Sequence, residues 1–168
     1  MNYFELYKIP ISFHPDLTAV KKQFYVLSRQ YHPDFFGAAE EAQKNESLEL
    51  TAQVNKAFKT FQDADAIIHY ILSIHKLIES EEKYQLAPDF LMEVMELNEQ
   101  VMELDKQNSL VKNSIQSSLN HLKASIYEPV KSIMANYQEN TFSEKELLQV
   151  KDYYYKKKYL DRIEEEIN

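Results

Sequence analysis

The stretch LTAVKKQFYVLSRQYHPD, Leu17 to Asp34, carries the plainest periodic signal in the chain. Leu17, Val20, Phe24, Leu27 and Tyr31 step by 3, 4, 3 and 4 residues, the spacing that lines up apolar side chains on one face of a helix. Asp16 stands just before the first of them and is read as the N-cap. At about 100° per residue, Lys22, Tyr25 and Arg29 fall on the opposite face. Residues 17–31 hold three basic side chains, Lys21, Lys22 and Arg29, and no acidic one, so the outer face of this helix is positive. A second run, Leu50, Val54, Ala57, Phe58 and Phe61, has a matching period and suits an antiparallel partner. Between them YHPDFFGAAEEAQKNE, residues 31–46, reads as a connection because it contains Pro33 and Gly37. After Asp63, the run Ile67, Ile71, Ile74 and Ile78 predicts a shorter helix closing this module.

The rest of the composition points the same way. A chain of 168 residues fits one ordinary domain or two small ones. One glycine and five prolines leave little of the punctuation that tight β-turns require, so an all-α fold is expected. Gly37 stands alone, which excludes glycine-rich phosphate loops. The absence of cysteine excludes a disulfide, a thiolate zinc site, cysteine ligation of an iron–sulfur cluster and a cysteine nucleophile. The histidines at 14, 32, 69, 75 and 121 lack metal-ligand spacing, and His69 and His75 read as surface or packing residues on a helix. No metal, no cofactor and no enzymatic activity are expected. With 19 basic and 27 acidic residues the formal charge is −8, which disfavours nucleic acid as a partner. The opening MNYFELYKIP lacks the form of a signal peptide, and no stretch has the length and apolarity of a membrane span, so the expected location is cytoplasmic.

Charge also divides the chain. Residues 1–75 carry seven basic and nine acidic side chains, whereas 76–168 carry twelve and eighteen. Between the halves KLIESEEKYQLAP, Lys76 to Pro88, is a charged cluster followed by a proline suited to a helix start. The expected organisation is one module over 1–75, a linker over 76–87 and a second module over 88–168. In the latter, Ile115, Leu119, Leu122, Ile126, Val130, Ile133 and Tyr137 keep one helical phase across Pro129, which argues for a single helix despite the proline. Ser143 with Glu146 three residues on predicts a capped final helix. The clusters Lys156 to Lys158 and Glu164 to Glu166 read as its solvated face.

PDFLMEVMELNEQVMELD, Pro88 to Asp105, has two apolar faces. Phe90, Val94, Leu97, Val101 and Leu104 form a core stripe. Leu91, Met95 and Met102 form a second line about 100–140° away, with Met92 beside it and Glu96, Glu99 and Glu103 interleaved or flanking. Nothing basic occurs in 89–105, which holds six acidic residues. Periodicity leaves two readings open: an adaptable partner-binding surface of methionines among carboxylates, or a wide core arc in which methionine fills gaps. With no histidine nearby, the carboxylates read as a solvated face rather than metal ligands.

His32-Pro33-Asp34, after a helix with a basic outer face and before an antiparallel partner, resembles the loop of the J-domain of DnaK-type co-chaperones. Proline fixes the backbone there, while His and Asp present a donor and an acceptor beside the positive face. The same tripeptide at His14-Pro15-Asp16 precedes the helix and reads as a turn with an N-cap. Val54-Asn55-Lys56-Ala57-Phe58 is similar to the third-helix pattern of that domain, and Phe35 departs from the usual lysine after the tripeptide. A J-domain beginning NYFELYKIP, without a glycine/phenylalanine linker or cysteine-rich region, followed by an acidic helical module with Phe90-Leu91-Met92-Glu93, resembles the HscB family of iron–sulfur cluster assembly.

That resemblance implies an N-terminal J-domain, an antiparallel helical hairpin with a His-Pro-Asp loop, then a C-terminal three-helix bundle in an L-shaped arrangement. It implies that Lys21, Lys22, Arg29, His32, Pro33 and Asp34 engage an HscA-like DnaK-type chaperone and stimulate its ATPase. It also implies that Leu91, Met92, Met95, Glu96, Glu99, Glu103 and Tyr159 bind the cluster scaffold IscU, with Tyr159 where the family has Phe and Met102 where a polar residue is more usual. The resemblance favours the binding reading of the second stripe. A monomer is expected, and the competing reading is a J-domain co-chaperone or helical adaptor for another client.

Overall fold

The computed structural model describes residues 1–32, 34 and 40–168, and among these it is all-α, with no strand. In chain order the helices are α1 (Tyr3–Leu6), α2 (Leu17–Tyr31), α3 (Glu41–Phe61), α4 (Ala64–Ile74), α5 (Pro88–Met102), α6 (Ser109–Ala135) and α7 (Glu144–Ile167). The chain forms two compact units: Met1–His75 with Tyr137–Thr141, and Lys76–Asn136 with Phe142–Asn168.

In the first unit α2 and α3 form a hairpin. Phe24 stacks on Phe58 at 4.1 Å, while the Tyr31 carbonyl is met by side chains of Ser47 and Thr51. Position 24 thus opposes 58 and position 31 opposes 47 and 51, so the two helices run antiparallel. Asp16 caps α2 as expected, accepting from the Thr18 amide at 2.9 Å. The core gathers Val20, Leu27, Val54, Ala57 and Phe61 with Phe4 and Tyr7 of the N-terminal turn and Ile67, Ile68, Ile71 and Leu72 of α4. Aromatic edges lock this centre: the rings of Phe4 and Tyr7 stand 5.2 and 5.1 Å from Phe61. The Tyr7 hydroxyl donates to the Val54 carbonyl at 2.7 Å, and burial pushes its pKa up. The polar end of the tyrosine is thereby satisfied inside an apolar site.

Three local expectations change. α3 starts at Glu41, inside the segment read as a connection. Its first six residues are all exposed and carry no apolar period, so patterning had nothing to register. Leu17 is 54% exposed rather than part of the stripe, since it occupies the first turn, ahead of the α3 contact. α4 ends at Ile74, with Lys76 in the left-handed region at φ 58°, so Ile78 lies beyond the helix, although it is buried.

In the second unit, α5, α6 and α7 form a three-helix bundle. Its core joins Phe90, Val94, Leu97 and Val101 to Ile115 and Leu119 and to Leu160, Ile163 and Ile167. α6 runs unbroken through Pro129, as its phase predicts, but stops at Ala135; Tyr137 is outside it and belongs to the first unit. There the Tyr137 hydroxyl meets His75 Nε2 at 2.6 Å. Ser143 caps α7 by accepting from the Glu146 amide at 3.1 Å. The α6 and α7 pair is antiparallel, because Gln116 bonds Glu164 while Lys123 bonds Asp161 and Tyr127 approaches Tyr153. At 1.5 Å per residue, the 15-residue α5 spans about 22 Å against about 40 Å for the 27-residue α6, so it covers only one end of that hairpin. The lysine cluster on α7 is not simply solvated: Lys156 pairs with Asp152 at 2.8 Å and Lys157 with Asp161 at 3.0 Å.

Candidate functional site

The residues singled out in the sequence fall on two surfaces, one in each unit. In the first unit Lys21, Lys22, Tyr25 and Arg29 are exposed on α2, and His32 is exposed just past its end. His32 Nδ1 accepts the Asp34 amide at 3.2 Å and lies 3.5 Å from Asp34 Oδ2. The two polar members of the tripeptide therefore form a local turn. Pro33, Phe35 and Gly37 lie outside the described residues.

Two residues that sequence reading missed hold the base of this turn. A helix leaves its last carbonyls without amide partners. The Tyr31 carbonyl, the last of α2, accepts from Ser47 Oγ at 2.5 Å and from Thr51 Oγ1 at 2.7 Å. Ser47 is itself buried, at 2% exposure. The phase of Val54 and Phe58 extended backwards reaches Thr51 and Ser47, so period was the available signal; polarity hid it.

In the second unit the structure separates the two faces of α5. Phe90, Val94, Leu97 and Val101 are buried, whereas Met92, Met95 and Met102 are 70%, 59% and 83% exposed. Glu96, Glu99 and Glu103 are exposed beside them, and no ion pair involving them occurs among the described residues. The wide-core alternative is thus excluded for the methionines. Leu91 is half-buried and packs against the core edge. Tyr159 is half-buried, edge-on to Phe90 at 6.2 Å, and its hydroxyl accepts from Asn98 at 3.3 Å. Leu91 and Tyr159 line one cavity of about 620 Å³, so the structure brings these two predicted residues together across α5 and α7.

The far wall of that cavity is Glu82 to Leu86, which the sequence suggested as linker. These residues are docked on α7. Tyr84 stacks on Tyr155 at 4.5 Å and donates to Asp152 at 2.7 Å, and Lys151 pairs with Glu82 at 2.7 Å. The hydrogen bond from Lys151 holds the Glu82 carboxyl below its usual range. Burial pushes the Tyr155 hydroxyl up to about 12. Among the described residues no cluster of His, Cys, Asp or Glu could hold a metal ion, and no helix is long and apolar enough to cross a membrane. What the two surfaces offer is contact chemistry: a positive face with a polar turn, and a negative face studded with soft apolar side chains.

A family model described as the HSCB C-terminal oligomerisation domain matches residues 86–168. The chain is 37% identical over 102 residues to a co-chaperone protein HscB homolog of Vibrio cholerae serotype O1 (strain M66-2), covering 60% of each. It is 33% identical over 110 residues to the homolog of Acinetobacter baumannii, covering 66% of this chain and 61% of that protein. These matches thus span about 60% of the length of the curated relatives. Among solved structures, chaperone HscB from Vibrio cholerae superposes with a TM-score of 0.72 at 27% identity, covering 99% of this chain and 95% of that one. Human co-chaperone protein HscB gives 0.76 at 28% identity, covering 99% and 80%.

Proposed function

The chain belongs to the HscB family of co-chaperones, and from that premise we propose that it brings the iron–sulfur scaffold IscU to an HscA-like DnaK-type chaperone and stimulates that chaperone's ATPase. The observation that carries this reading is α5: a helix whose core face is fully occupied keeps three methionines and three glutamates in water, next to Leu91 and Tyr159. An exposed apolar stripe on a helix already seated on its own core marks an interaction surface. Methionine suits the role because its flexible thioether adapts to a facing surface. Glu96, Glu99 and Glu103 would steer and orient a partner with basic groups around an apolar centre.

At the other surface, Lys21, Lys22 and Arg29 give α2 a field that attracts an acidic patch. His32 and Asp34 lie just past the end of that helix, and with Pro33 they would make the contact that triggers hydrolysis in the chaperone. The chain performs no bond chemistry in this reading and works in the cytoplasm as a monomer. Because the matching domain model is named for oligomerisation, sedimentation of the purified protein is a direct check on that last point.

Two measurements test the whole. Wild-type protein should raise the ATPase rate of the chaperone, and His32→Gln should abolish the increase; unchanged stimulation would sink the chaperone assignment. Pull-down of IscU should fail with Leu91, Met92 and Met95 all changed to Ala, and undiminished capture, or preference for unfolded model substrates, would favour a different client.

A further inference from the structure

The cavity shared by Leu91 and Tyr159 has a charge pattern opposite to the stripe beside it. Its lining includes Lys83, Lys158 and Arg162, with Leu86, Tyr84 and Tyr155 between them and Glu82 as its acidic member. Glu82 is taken up by Lys151. Four lysines of the bundle are neutralised: Lys151 by Glu82, Lys156 by Asp152, Lys157 by Asp161, and Lys123 by Asp161 and Glu164. No such pair occurs for Arg162 or Lys83 among the described residues, and both are exposed. Lys158 sits with its ammonium 5.6 Å over the Tyr154 ring, which leaves its charge unbalanced. A half-open cavity with Leu86, Leu91 and three tyrosines in its lining, rimmed by these three cations, lies beside a helix whose charged side chains are all carboxylates.

We infer that this cavity is a second contact for the scaffold protein, receiving an apolar side chain between Leu91, Tyr155 and Tyr159 while a neighbouring carboxylate of the same segment pairs with Arg162. The inference rests on the scaffold reading of α5 and extends it to the partner's chemistry. A surface that is negative along α5 and positive across the cavity demands a partner with the reverse order: basic groups, then an apolar anchor, then an acid. Leu91 belongs to both halves, so one continuous footprint covers them. The arrangement also fixes orientation, because a partner turned end for end would set like charges against both Glu96 and Arg162. Arg162 suits the acid better than lysine would, since its planar fork meets a carboxylate with two parallel hydrogen bonds.

The test is calorimetric titration of purified IscU into full-length wild-type protein, the triple variant L91A/M92A/M95A, and Arg162→Glu, each at two salt concentrations. Arg162 is exposed and outside the core, so its reversal leaves the fold intact, which circular dichroism verifies. The expected result is loss of binding in the triple variant, and for Arg162→Glu a loss of about five- to tenfold with a shallower salt dependence. Restored affinity when an acidic residue of the scaffold is changed to Lys against Arg162→Glu would identify the paired carboxylate. If the triple variant loses binding and Arg162→Glu binds within twofold of wild type, the cavity contact is wrong and the scaffold reading stands. If wild type does not bind IscU, the scaffold reading fails and the cavity contact falls with it.

Discussion

α2 and α5 are both 15 residues long and share one plan with opposite charge. Each buries a stripe, Val20 and Leu27 in one and Phe90, Val94, Leu97 and Val101 in the other. Each leaves apolar side chains exposed among like charges: Tyr25 and Val26 beside Lys21, Lys22 and Arg29, and Met92, Met95 and Met102 beside Glu96 and Glu99. They differ in how they are held. α2 is fixed at both ends, by the Asp16 cap and by two hydroxyls on the Tyr31 carbonyl. α5 begins at Ala87 with no side-chain cap. The difference follows from where each helix presents its groups. His32 and Asp34 lie beyond the end of α2, so that end must be placed; the groups of α5 lie along its flank, so its seat on the core matters and its ends matter less.

The largest effect should come from breaking that seat. Leu97 is buried and Met95, two residues away on the same helix, is mostly exposed. Leu97→Ala should cost about 2–5 kcal/mol in urea unfolding, whereas Met95→Ala should stay within about 0.5 kcal/mol. Only Met95→Ala should weaken scaffold capture without loss of stability. Equal destabilisation by the two would mean that the stripe is core after all.

For α2 the matching experiment attacks the end. Ser47→Ala combined with Thr51→Val leaves the Tyr31 carbonyl unsatisfied in a partly buried site, at a cost of about 1–3 kcal/mol. ATPase stimulation should fall although His32, Pro33, Asp34 and every basic residue of α2 are intact. Full stimulation by the folded double variant would show that the loop is positioned by other contacts.

A charge cluster in the second unit ties its stability to pH. Lys123 bridges α6 to Asp161 and Glu164 of α7, each at 3.0 Å. Burial alone would raise the Asp161 carboxyl, but hydrogen bonds from Lys123 and Lys157 outweigh it and hold it low; for Glu164 the bond from Lys123 leads. A carboxyl whose pKa is lower in the folded than in the unfolded state adds stability that is complete above the unfolded value and is lost as pH falls through the folded one. Burial draws the Lys123 ammonium down, yet its bonds to both carboxylates raise it overall, so its contribution is complete below about pH 10.5 and lost above. The second unit should therefore weaken on acidification below about pH 4.5. Lys123→Met should cost roughly 1 kcal/mol at neutral pH, since the pairs are partly exposed, and should flatten that acid limb. Unfolding curves at pH 7 and 3.5 decide it, and an unchanged slope in the variant would assign the acid sensitivity elsewhere.

Helices announced themselves wherever apolar period and burial coincide. The stripes of α2, α5 and α6 could be read because a missing hydrophobe at each buried position would cost stability, and Asp16 and Ser143 because capping chemistry narrows the choice of residue. Ser47 and Thr51 were hidden by the same logic: they occupy core-phase positions with polar atoms whose value depends on a carbonyl far away in sequence. The docking of Tyr84 on Tyr155 was equally silent, because a stacked ring pair separated by 71 positions leaves no periodic trace. Exposure of the methionines was a matter of how wide an arc of α5 its neighbours cover, which period alone does not fix.

The smallest expected effect tests the contrast between the two helix starts. Asp16 accepts from Thr18 at 2.9 Å and from Ala19 at 3.4 Å, so Asp16→Ala should cost about 1 kcal/mol. Ala87 has the extended backbone of a cap, φ −58° and ψ 139°, and precedes a proline at the first helical position, but its methyl group offers no acceptor. Ala87→Ser supplies one without disturbing the core, and should stabilise the second unit by about 0.5–1 kcal/mol. Scaffold affinity should not change, because the contact groups lie along the flank. A gain in stability accompanied by weaker binding would mean instead that looseness at the start of α5 is used when the partner docks, and that its missing cap serves the same surface as its methionines.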